Sequence, residues 1–110
     1  MYIHLHEMSN KRKNMVVHIV MFSFKEENKK ENLLKAKKLL IDLVEKIPSL
    51  ISMEVGLDFM QSERSLDLVL TSKFDDKEGL STYATHPAHL EVVSFIKEVT
   101  DGAKVVDYEM

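Results

Sequence analysis

The sequence predicts an α+β fold of the ferredoxin-like type, with elements in the order βαββαβ, and three observations carry that reading. Four stretches, at 16–24, 49–59, 66–74 and 103–108, are rich in β-branched, aromatic and alternating apolar residues, as strands are. A helical apolar stripe separates the first from the second, and a second helical region separates the third from the fourth. Only a short polar link joins the second strand to the third, which suggests a hairpin. Together these give the split βαβ arrangement, in which helices cover one face of the sheet. The first strand is apolar on both of its faces, so the helix-free face is expected to pair with a second copy of the chain, two sheets closing into a barrel.

The chain has 110 residues and 45% apolar content, enough for one domain around one core. Its net charge of −3 gives no electrostatic footprint for nucleic acid. No apolar run is long enough to span a bilayer, so no membrane partner is expected. Cysteine is absent, which removes disulfide and thiolate chemistry and suits a cytoplasmic setting. Residues 1–14 mix His4, His6, Glu7, Lys11, Arg12 and Lys13 with few apolar positions. They read as a poorly ordered extension preceding a domain at 15–110. The apolar run after the basic triplet is short and interrupted by His18 and Lys25, so the triplet does not open a secretory signal.

In the first strand His18, Val20, Phe22 and Phe24 share one face, and Val17, Ile19, Met21 and Ser23 the other. His18 is the lone polar group on its face, either a satisfied structural histidine or part of a pocket lined also by Val20 and Phe22. The first helix runs through Leu33, Ala36, Leu40, Leu43 and Ile47 and stops at Pro48. Asp75 or Asp76 is placed to cap the helix that carries Leu80 and Tyr83.

The segment Tyr83-Ala84-Thr85-His86-Pro87-Ala88-His89 concentrates the polar chemistry. Proline pushes the preceding residue out of the helical region and is welcome at the first position of a new helix. One helix therefore ends near Ala84 and another begins at Pro87. His89 falls in the first turn of the second, above Val92, Val93, Ile96 and Val99, and so faces inward. Gly102 is expected at the C′ position of that helix.

These residues carry a resemblance. Val17-His18-Ile19-Val20 with Phe22 and Phe24, the stretch Tyr83 to His89, Arg64-Ser65-Leu66-Asp67-Leu68 and Val105-Val106-Asp107-Tyr108 are similar to segments of the stress-responsive dimeric α/β-barrel (Dabb) family. The resemblance covers residues 15–110 and is specific for the family, not for one activity. It implies a ferredoxin-like homodimer, a dimeric α/β barrel. Plant polyketide cyclases of the olivetolic acid type, within this family, close a linear tetraketide thioester by an aldol condensation without a metal. By that resemblance Tyr83 and His89 are catalytic, Asp107 orients His89, and His18 lines the pocket. The first helix here is rich in Leu, Ala and Lys, where the cyclase pocket is more aromatic.

The chemistry stands apart from the resemblance. Aldol closure needs a base for a carbon-bound proton and a donor for the developing enolate oxygen, roles that fit a neutral His89 and Tyr83. A helix N-terminus disfavours positive charge on His89, whereas a neighbouring Asp107 would favour it. His86 joins the ligand-binding candidates His18, Val20 and Phe22. His86 and His89, spaced i, i+3, lack a third metal ligand, and no metal or other cofactor is expected. Two readings remain: a dimeric cyclase- or lyase-like enzyme for a keto or polyketide-like molecule, or a non-catalytic stress-responsive dimer holding a small apolar ligand. A cavity reaching Tyr83 and His89 favours the first. A filled core, with His89 merely bonded to Asp107, favours the second.

Overall fold

The computed structural model describes residues 14–110; the expected N-terminal extension lies outside them except for Asn14. Strand β1 (Val16–Phe24) leads to helix α1 (Lys29–Lys46), then strands β2 (Ser52–Leu57) and β3 (Leu68–Phe74). Two helices in tandem, α2 (Lys77–Thr85) and α3 (Pro87–Val99), precede strand β4 (Thr100–Glu109). The sheet order is β2-β3-β1-β4, with every neighbouring pair antiparallel. This is the ferredoxin-like α+β fold that the element order predicts.

Each boundary has a local cause. Asn28 takes a left-handed conformation (φ 52°) at the entrance to α1, a region that asparagine tolerates better than most residues. Pro48 cannot continue the helix, and the Ile47 N–H closes it on the Leu43 carbonyl. Asp76 caps α2 by accepting from the Gly79 N–H at 2.8 Å. α3 opens with proline at its first position.

Alternation sorts the sheet into two faces. Val16, Val20 and Phe24 of β1 share the helix side with Leu68, Leu70 and Phe74 of β3, and pack with Ala36, Leu40, Leu43 and Ile47 of α1. The Phe74 ring packs against Tyr83 of α2 in a tilted arrangement, with centroids 5.0 Å apart and planes at 56°. The opposite face carries Met21 of β1, Val69 of β3, and Val106 and Tyr108 of β4, and among the described residues no helix covers it.

Three boundaries differ from the sequence reading. β2 is shorter than 49–59, because the chain turns at Leu50, whose N–H bonds the Ile47 carbonyl, and leaves the sheet again at Asp58. β3 starts at Leu68 because Asp67 is withdrawn to bond β1. Its buried carboxylate accepts from the Phe24 N–H at 2.7 Å, a strong charge-assisted contact that ties the hairpin to the end of β1. Gly102 is not a helix C′ residue. α3 ends at Val99 with Thr100 extended beyond it, and β4 begins at once. Gly102 sits instead opposite Ser23, beside an irregularity in the β1–β4 register. A Cβ there would come within 2.8 Å of Ser23 Oγ, which is engaged in a hydrogen bond to Asp101 at 2.6 Å.

Candidate active site

Between the sheet and α3 lies a cavity of about 350 Å³, in the size range of small-molecule sites. Its floor is Val20, Phe22 and Leu70 of the sheet, and its roof is Val92, Val93 and Ile96 of α3. One end is polar, formed by His18, Tyr83 and His89. The side toward β4 is thinly covered, since Val105 is 54% exposed.

Tyr83 is 2% exposed, held between Phe74 and His89, whose ring lies 4.2 Å away. Its hydroxyl has no hydrogen-bond partner among the described residues. Burial pushes its pKa up to about 12, so the phenol keeps its proton and is able to donate it in a hydrogen bond.

His89 stands in the first turn of α3, with its Nδ1 3.1 Å from the carbonyl of Ala84. A carbonyl only accepts, so Nδ1 carries the proton and donates. In the neutral ring, Nε2 is then left with a free lone pair. Removal from water holds the imidazole below its ordinary pKa of 6.5. The Ala84 carbonyl opposes that shift, and the neighbouring His18 and His86 rings add to it. Near neutral pH His89 is therefore an uncharged base with a fixed tautomer.

His18 projects from β1 on the helix side, directly opposite Asp107 in the β1–β4 register, and its Nδ1 donates to the Asp107 carboxylate. The expected bond between His89 and Asp107 is not formed. Directly paired residues on adjacent strands bring their side chains within easy reach, whereas His89 is fixed on the helix above by Ala84. Asp107 thus orients His18 rather than His89, and its carboxylate does not line the cavity. His86 also departs from expectation. It is the N-cap of α3, and its Nδ1 accepts from the Ala88 N–H at 3.0 Å, outside the cavity lining. An N-cap needs an acceptor for the first N–H groups, and here an imidazole supplies it.

The sequence reading misses Lys97, which lines the cavity at the end away from Tyr83. The signal is nonetheless present. His89, Val92, Val93, Ile96 and Lys97 follow the i, i+3, i+4, i+7, i+8 pattern of a single helix face. Among the described residues no group of three or more His, Cys, Asp or Glu is gathered to hold a metal ion.

Residues 16–110 match the family model of the stress responsive A/B barrel domain, Dabb. The chain belongs to this family. It is 28% identical over 101 residues to the stress-response A/B barrel domain-containing protein HS1 of Arabidopsis thaliana, covering 88% of this chain and 91% of that one. Among solved structures, a dimeric protein of unknown function with a ferredoxin-like fold from Bacteroides fragilis superposes with a TM-score of 0.80. It is 32% identical, over 87% of this chain and 96% of its own. A hydroxynitrile lyase from Passiflora edulis has the same TM-score of 0.80 at 16% identity, over 89% of this chain and 94% of its own, a likeness of fold alone.

Proposed function

We propose that this Dabb protein is a homodimeric, cofactor-free enzyme of cyclase or lyase type, acting on a small keto or polyketide-like molecule. The observation that carries this reading is the polar end of the cavity. There a buried, protonated Tyr83 without a partner stands beside a neutral His89 whose Nδ1 is already engaged.

In the proposed reaction His89 Nε2 removes a proton from the carbon next to a substrate carbonyl. Tyr83 donates its hydroxyl hydrogen bond to the enolate oxygen that develops. The carbanion then forms a carbon–carbon bond to a second carbonyl of the same molecule, and the resulting alkoxide takes back the proton from the His89 imidazolium. His18, oriented by Asp107, offers a second polar contact to the bound molecule. The hydroxynitrile lyase that shares this fold supports the scaffold's use in catalysis, although at 16% identity it says nothing of these residues.

The dimer is supported by the apolar face around Met21, Val69, Val106 and Tyr108, which no helix covers among the described residues, and by the dimeric Bacteroides fragilis relative. We place the protein in the cytoplasm because a cysteine-free chain suits it. Among the described residues no helix is long and apolar enough to cross a membrane.

The mainly apolar walls favour a second reading, a non-catalytic dimer that holds a small apolar ligand. One experiment separates the two. Linear β-polyketo thioesters are incubated with the protein and with His89→Ala, and cyclised product is followed by absorbance and mass. Acceleration lost in a folded variant supports the enzyme. Ligand binding without acceleration by either protein supports the second reading.

A further inference from the structure

We infer that the cavity takes an elongated ligand with an anionic group at its far end, and that Lys97 selects for that group. The inference deepens the proposed function and rests on the same cavity. His89 and Lys97 are eight residues apart on α3, and at about 1.5 Å per residue the two ends lie about 12 Å apart. The sheet gives the same length independently. The His18–Asp107 pair flanks the polar end and the Phe22–Ala103 pair the other, four residues along, or about 14 Å at about 3.4 Å each.

Between the ends the walls are aliphatic or aromatic. At the far end the polar lining is Lys97 and Thr100. The Thr100 hydroxyl is spent on the Ile96 carbonyl at 2.8 Å, which leaves the ammonium. Lys97 has no ion-pair partner among the described residues, and no carboxylate lines the cavity. Asp101, a few residues on, is bonded to Ser23. An unneutralised cation at the rim of an apolar slot fits an amphiphile whose carbonyl reaches Tyr83 and His89 while its charge remains at Lys97. The anion has two chemical sources, the carboxylate of a keto acid or the phosphoryl group of a carrier thioester.

The test needs binding only. Decanoate, decyl phosphate and decanol are titrated into the full chain and into Lys97→Met by calorimetry at neutral pH. The wild type is expected to bind the anions about five- to tenfold tighter than the alcohol, the scale of one charge-assisted contact at a partly exposed site. Lys97→Met should bring the three to parity, and His89→Ala should leave the anion preference in place. Decanoate binding best in the wild type assigns the far end to a carboxylate, and decyl phosphate binding best assigns it to a phosphoryl group. A preference that survives Lys97→Met, or no binding of any probe, overturns the inference. A preference lost in Lys97→Met in a protein that turns over no keto substrate upholds it while the enzymatic reading fails.

Discussion

His18 and Asp107 face each other across β1 and β4 and are joined side chain to side chain, so the histidine–carboxylate pair of this site lies within the sheet. His89 makes its only side-chain hydrogen bond among the described residues to α2, donating to the carbonyl of Ala84. The two imidazoles are therefore oriented by separate devices.

Asp107→Asn should disturb His18 and leave His89 alone. The pair is half exposed on the carboxylate side, 48%, so its loss should cost no more than about 1 kcal/mol. Proton–nitrogen NMR spectra of the imidazoles at neutral pH check this. The His18 ring signals should move, and the His89 ring should keep its proton on Nδ1, held by the Ala84 carbonyl. A changed His89 tautomer in the variant would show that Asp107 acts on it directly.

Acid should weaken the fold through His89. Its folded pKa lies below the ordinary 6.5, so between the two values the unfolded ring binds more protons than the folded one. That contribution to stability is complete above 6.5 and is lost as pH falls from there toward the folded pKa. Urea denaturation of the wild type and His89→Gln, compared at several pH values, isolates it. The wild type should lose ground to the variant below pH about 6.5. A difference that is constant with pH, or that shifts in favour of the wild type toward acid, contradicts the assignment.

Tyr83→Phe should separate chemistry from stability. The hydroxyl has no partner to lose, so the stability should stay within about 0.5 kcal/mol of wild type. If the hydroxyl stabilises an enolate, turnover should fall about 10²- to 10³-fold. Thermal melts and rate measurements on one preparation decide it. A large stability loss would mean that the phenol is a structural donor.

The fold is legible in the sequence because its signals are local. Period-two strands, the Leu33–Ile47 stripe, the Asp76 cap and the His86-Pro87 break each act within a few residues. The composition of the site is legible for the same reason, since the stripe below His89 turns it inward. The partner of Asp107 is not, because it depends on the β1–β4 register, which no local pattern specifies. Gly102 misleads because glycine signals a helix end as well as a close approach, and only the position of Ser23 tells the two apart. His86 reads as a ligand group because its role as an N-cap depends on which way the ring turns at the helix start.

The helix-free face should be a subunit interface. Val106 is 53% exposed on it, on the edge strand β4, and Val106→Asp would bury a carboxylate in each half of a symmetric contact. Light scattering at micromolar concentration should give twice the chain mass for the wild type and one chain mass for the variant. A wild-type monomer would remove the barrel from the account.

The proposed chemistry requires His89 to be a neutral base with its free lone pair on Nε2. Long-range proton–nitrogen NMR spectra of the uniformly ¹⁵N-labelled protein at neutral pH read this directly. The expected spectrum is that of a neutral ring with the proton on Nδ1, held by the Ala84 carbonyl, and a bare Nε2. A His89 ring protonated on Nε2, or charged on both nitrogens at that pH, would contradict it.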